Sequence, residues 1–124
     1  MRLWHEQLIP VLPRAQLLGQ HRECAALRGN GWNKKHRTVD YVFLYSPFKL
    51  YLYHVLIMDE MKQRGYHVDP LWHDANYRGK ICGPWDGLPT DAHDADTVIY
   101  PEHNRAYLEE CVSNLQAKGI TISL

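Results

Sequence analysis

Between Ser46 and Gly65 lies a stretch that dictates much of what this chain can fold into. Phe48, Leu50, Tyr51, Leu52, Tyr53, Val55, Leu56, Ile57, Met58 and Met61 place apolar side chains nearly all round a helix. Ser46 is a good N-cap, Pro47 suits a first helical position, and Gly65 supplies a C-terminal stop. A helix so apolar on every side belongs in the middle of a fold, and Leu52→Asp is expected to unfold it.

The first helix in chain order is expected over Arg14–Gly29, entered through Pro13 and ended by Gly29 in a left-handed conformation. Leu17, Leu18, His21, Cys24 and Ala25 recur at helical spacing and form its expected core side, with His21 a core histidine. The other face carries Ala15, Gly19, Arg22, Glu23 and Ala26. It is small and flat, with one acid and one base on it, and suits close approach by a ligand or by another helix.

The chain has 124 residues, the size of a single domain spanning 1–124. No apolar run reaches the roughly 18 residues of a membrane span. The start, Met1-Arg2-Leu3-Trp4-His5, has no signal-peptide core, so a cytoplasmic location is expected. Cys24, Cys82 and Cys111 are odd in number and far apart, as reduced thiols would be. Net charge is zero, yet residues 1–40 hold seven Lys and Arg against three Asp and Glu. Such a basic end can present a phosphate-binding face, or can be an ordinary fluctuation of surface charge.

Residues 1–13 are apolar and broken by Pro10 and Pro13, which excludes a long helix and predicts a packed extended or single-turn segment. After the first helix, residues 29–37 form a turn-rich basic loop with Trp32, Lys34, Lys35, His36 and Arg37. This loop suits phosphate contact with base stacking, or else a solvated loop whose Trp32 plugs the core. Residues 38–45 read as a strand by propensity alone but have no hairpin partner. Residues 65–100 are irregular and hold His73-Asp74 and the run from Asp91 to Asp96. Without a ligand spacing typical of zinc, the latter is read as an acidic solvated loop, so no metal or cofactor is expected. A third helix is expected from Pro101-Glu102 to Lys118-Gly119, packing through Leu108, Cys111, Val112 and Leu115. The tail from Ile120 to Leu124 is β-like. The fold expected is mainly α: a compact three-helix core with a long irregular loop between the second and third helices.

Gln16-Leu17-Leu18 followed by His21-Arg22-Glu23 resembles the catalytic helix of the bacteriophage-type pyrimidine-dimer DNA glycosylases, the endonuclease V kind. Phe43, Tyr45, Lys49, Leu50 and Arg64-Gly65 resemble that family's second helix, and Tyr100-Pro101 matches weakly further on. The chain would be a distant bacterial-type member; for residues 38–45 the resemblance favours an extended lead-in to the second helix. The resemblance implies a DNA-repair glycosylase with abasic-site lyase activity on ultraviolet-damaged or abasic double-stranded DNA. In such enzymes an N-terminal amine attacks C1′ of the sugar to form an imine, a glutamate shuttles protons, and β-elimination cuts the strand.

Carried over residue by residue, Glu23 becomes the catalytic glutamate and Arg22 the neighbouring DNA contact. Position 26 is alanine where the family has a further arginine, which leaves Arg28 as a substitute. Arg2 follows Met1 where the family exposes a threonine, so the candidate nucleophile is the amine of Met1. An α-amine titrates near 8, roughly two units below lysine, and is far more often neutral at pH 7. Two other readings compete: a non-catalytic nucleic-acid-binding domain of the same fold, and a small metal-binding or interaction domain using the 65–100 loop.

Overall fold

A computed structural model of the chain describes residues 2–30, 41–42, 44–80, 83–85 and 99–122. Helix α1 spans Arg14–Asn30, α2 Pro47–Gln63 and α3 Arg105–Ala117. Short 3-10 turns at Glu6–Val11 and Pro70–His73 add to them, and no strand occurs among the described residues. The architecture is mainly α, with a long connection between α2 and α3.

Helix α2 starts and stops where local backbone chemistry requires. The Ser46 hydroxyl accepts the Phe48 N–H at 3.2 Å, and Pro47 follows as the first helical residue. At the other end Gly65 takes φ 86°. Its N–H reaches the Lys62 carbonyl at 3.0 Å, while the Tyr66 N–H reaches that of Met61 at 2.8 Å. This paired closure satisfies two carbonyls that the helix leaves open. Helix α3 ends the same way: Gly119 has φ 84°, and the N–H groups of Gly119 and Ile120 reach Gln116 and Leu115 at 2.9 Å.

Helix α1 ends differently. Gly29 is not left-handed, and the helix continues to Asn30. The Arg78 guanidinium closes this end, donating to the carbonyls of Arg28 at 2.9 Å and Gly29 at 2.8 Å. A Cβ on Gly29 would lie 3.1 Å from the Arg78 carbonyl oxygen, so close packing is what a side chain would disturb there. Helix α3 starts at Arg105 rather than at Pro101, because the Asn104 side chain caps it by accepting the Tyr107 N–H at 2.9 Å. Pro101 and Glu102 form a turn ahead of it, and the Tyr45 hydroxyl hydrogen-bonds the Glu102 carboxylate. Ile120–Ile122 is irregular rather than β-like. Of the expected segment 38–45, residues 38–40 and 43 lie outside the described residues, and residues 41, 42 and 44 are in 3-10 geometry.

The core gathers Leu3, Leu8 and Leu12 of the N-terminal segment, Leu17 and Leu27 of α1, Leu50, Tyr53, Ile57 and Met58 of α2, and Leu115 of α3. Helix α1 packs along α2, and the Glu6–Val11 turn packs on α2 as well. The α1 core face is rotated from the expected one. Gln20, Leu27 and Arg28 are buried, while Leu18, His21 and Ala25 are only half-buried. On α2, Leu52 is half-buried and Leu56 is 37 % exposed, so the helix is central without being enclosed on all sides.

Polar groups stitch α1 to α2. Arg28 Nη1 lies 3.0 Å from His54 Nδ1, and His54 Nε2 lies 2.8 Å from His21 Nδ1. A guanidinium only donates, so His54 accepts at Nδ1, carries its proton on Nε2 and donates that proton to His21. Both histidines are thereby held neutral. Burial and the adjacent Arg28 charge push His54 well below the ordinary histidine range.

Candidate active site

A cleft of about 390 Å³ opens between the N-terminal segment, α1 and α3. Its floor is the α1 face of Ala15, Gln16, Gly19, Gln20 and Glu23. Arg2 and Trp4 form one wall, and Asn114 of α3 and Lys118 just after it contribute another side. The small face read from the sequence is therefore open to a ligand, not covered by a helix. Gly19 keeps the floor low: a Cβ there would meet only Arg22 Nη2, at 3.9 Å.

The wall is fixed through its backbone. The Trp4 N–H donates to Gln20 Oε1 at 3.2 Å, and Gln20 Nε2 donates to the Arg2 carbonyl at 2.5 Å. The Tyr53 hydroxyl lies 2.7 Å from the Trp4 carbonyl and 2.8 Å from Gln20 Oε1. From α3, the Tyr107 hydroxyl donates to the Leu3 carbonyl. Burial raises both tyrosine hydroxyls well above the usual phenol range, so they remain protonated donors. Residues 2–4 thus run in a defined track beside Glu23.

The charge pattern is mixed. Glu23 is the carboxylate of the lining, with its Oε1 shielded from solvent. Arg2 and Lys118 bring positive charge to the same cleft. Arg2 also meets Glu110 at 3.6 Å and lies over the Tyr107 ring, while the Lys118 ammonium stands 5.6 Å from the Trp4 ring centre. A shaded carboxylate beside two cations suits a substrate that is anionic and undergoes proton transfer. The neighbouring Cys24 thiol is fully buried, and burial pushes its pKa upward, so it is no nucleophile.

A sequence model of the family described as pyrimidine dimer DNA glycosylase matches residues 1–74, which cover α1, α2 and the wall of the cleft. The chain belongs to that family. Comparison with curated proteins and with solved structures finds no match. Membership ties the chain to the DNA glycosylases, with DNA as the family's substrate. Helix α3 and its C-cap Lys118 lie beyond the matched residues, yet Asn114 and Lys118 line the cleft. No helix among the described residues is long and apolar enough to cross a membrane.

Of the residues expected to act, Glu23 lines the cleft. Arg22 is exposed at its rim, its guanidinium reaching back over Gly19. Arg28 is elsewhere: it is 2 % exposed, and its guanidinium donates to the carbonyls of Trp72, Asp74 and Tyr77 as well as to His54. With its donors committed inside the protein, Arg28 is a structural residue and not the substitute DNA contact. Met1, Trp32, Lys34, Lys35 and Arg37 lie outside the described residues, as does the acidic run from Asp91 to Asp96. Among the described residues, no group of three or more His, Cys, Asp and Glu side chains is placed to hold a metal.

Sequence reasoning missed Arg2, Gln16, Gln20, Asn114 and Lys118 as cleft residues. A signal existed for two of them. Gln16 and Gln20 are one turn apart and flank the Ala15-Gly19-Glu23 stripe, making it a polar floor. Nothing in the sequence announces that Asn114 and Lys118 stand beside this floor.

Proposed function

We propose that the chain excises pyrimidine dimers through an imine and then cuts the strand, with the amine of Met1 as nucleophile and Glu23 as proton shuttle. The neutral amine attacks C1′, the glycosidic bond breaks, and the base leaves with a proton. The sugar ring opens to an imine with that nitrogen. Removal of a C2′ proton then expels the 3′ phosphate by β-elimination, and water releases the sugar fragment. Glu23 moves the protons in these steps, and Arg22 contacts the phosphate backbone at the rim. Trp32, Lys34, Lys35 and Arg37 extend the contact with the duplex.

The observation that carries this reading is the shared cleft: Arg2, which bears the peptide bond to Met1, and Glu23 line the same concavity. The positive charge of Arg2 favours the neutral form of a nearby amine, which is the reactive form. Borohydride reduction on duplex DNA with an abasic site tests it directly. A covalent adduct mapped to Met1 is expected, along with a loss of strand cleavage of about 100-fold or more in Glu23→Gln. An N-terminal tag converts the amine to an amide and is expected to abolish trapping while leaving binding intact. Salt-sensitive DNA binding by the untagged protein with no adduct would make it a binding protein and end the catalytic reading.

A further inference from the structure

Gln20 and Tyr53 are polar side chains in places where a core would ordinarily be apolar. Gln20 is 5 % exposed and Tyr53 fully buried, and their polar ends converge on the backbone of residues 2–4. The arrangement fixes the amide's orientation. With Oε1 and Nε2 exchanged, an NH2 would face the Trp4 N–H and a carbonyl oxygen would face the Arg2 carbonyl. Two attractions would become two repulsions, so the orientation found is the one that satisfies both partners. The Tyr53 hydroxyl then directs its single proton toward the Trp4 carbonyl and Gln20 Oε1.

This network fastens the stretch of chain that walls the cleft, and it does so from the cleft floor itself. Gln20 lines the cleft alongside Glu23, three residues away on α1. The same side chain that holds the Arg2 carbonyl is therefore rigidly attached to the helix carrying the carboxylate. We infer that Gln20 is a positioning residue for the reaction, setting where the start of the chain lies relative to Glu23, with Tyr53 locking Gln20 in place. The inference rests on the imine reading above and adds to it the device that establishes the geometry. Reaction rates respond steeply to misplacement of this kind, whereas duplex binding depends on contacts spread over a larger surface.

The physical basis also states what removal does. Gln20→Met keeps the length and shape of the side chain but leaves the Trp4 N–H and the Arg2 carbonyl without partners. Buried backbone groups without partners move until water or another group satisfies them. The wall then shifts away from Glu23 while the surface that meets DNA is unchanged. Tyr53→Phe removes only the hydroxyl and leaves both Gln20 hydrogen bonds to residues 2 and 4, so it is the milder variant.

The test is single-turnover borohydride trapping on abasic duplex, read beside the equilibrium dissociation constant for the same duplex. Folding of each variant is checked by thermal melting. Gln20→Met is expected to lower the trapping rate at least tenfold, with the dissociation constant within about threefold of wild type. Tyr53→Phe is expected to fall between the two. Should Gln20→Met fail to fold, Tyr53→Phe decides alone, and a trapping rate within twofold of wild type overturns the inference. Wild-type trapping rates in folded Gln20→Met overturn it while leaving the imine reading intact. Rate and affinity falling together in proportion to the folded fraction make the network merely structural and also overturn it. A wild-type protein that binds abasic DNA and never traps overturns the imine reading and the positioning role with it.

Discussion

Arg28→Met is expected to destabilise the protein strongly, because it removes a buried cation bonded to several distant groups. The guanidinium donates to the carbonyls of Trp72 at 2.9 Å, Asp74 at 2.6 Å and Tyr77 at 2.9 Å, and to His54 at 3.0 Å. The Tyr51 and Trp72 rings lie 5.4 and 5.0 Å from its central carbon. Among the described residues it has no carboxylate within ion-pair distance. Arg78 answers from the opposite direction, donating to the carbonyls of Arg28 and Gly29, so two arginines staple residues 72–78 to the end of α1. Methionine preserves volume but strands three carbonyls, at about 1–3 kcal/mol each. Recovering the desolvation of the buried cation offsets part of this, and the net loss expected is about 3–5 kcal/mol. Against a total stability of about 5–15 kcal/mol that is a large fraction.

Urea unfolding followed by tryptophan fluorescence measures it. With a slope of about 2 kcal/mol per molar, the midpoint is expected to fall by about 2 M. Arg28→Lys should lose nearly as much, since one ammonium cannot reproduce a planar fork reaching several carbonyls. A loss below about 1 kcal/mol would refute the assignment. So would folded Arg28→Met that binds DNA more weakly with a flatter salt dependence, which would return Arg28 to the phosphate contacts.

Gly19→Ala should stabilise the protein by about 1 kcal/mol, because glycine inside a helix is disfavoured by that much; the new methyl meets only Arg22 Nη2 at 3.9 Å. Gly19→Met should leave the melting temperature at or above wild type yet raise the dissociation constant for abasic duplex by raising the cleft floor, and unchanged affinity would show that the substrate does not approach there. Arg22→Ala should weaken DNA binding and reduce the slope of log affinity against log salt by about one, as expected when one phosphate contact is lost; an unchanged slope removes Arg22 from the interface. Stability should fall as pH falls from about 6.5: His54 is held well below the usual range, chiefly by burial and then by Arg28, and burial lowers His103 to about 3. The unfolded chain therefore binds protons that the folded one refuses, costing up to about 1.4 kcal/mol per pH unit for each histidine, and urea midpoints that are flat from pH 7.5 to 5 would refute it.

The sequence by itself determined where helices stop when the signal is local. Ser46, Pro47 and Gly65 bracket α2 and Gly119 closes α3, because caps and left-handed stops satisfy backbone groups only a few residues away. It also placed Glu23 on a small face of α1, since helical periodicity needs no knowledge of partners. Only the tertiary structure decided what that face meets. Gln20 looks like a surface residue until Tyr53, 33 positions on, and the backbone of residues 2 and 4 satisfy its amide. Arg28 looks like a DNA contact until carbonyls 44 to 49 positions away take up its donors. Gly29 reads as a stop until Arg78 arrives to cap the helix instead. Polar side chains are placed by whichever partners the fold brings to them, and a hydrogen bond between distant residues leaves no periodicity in the sequence from which to read it.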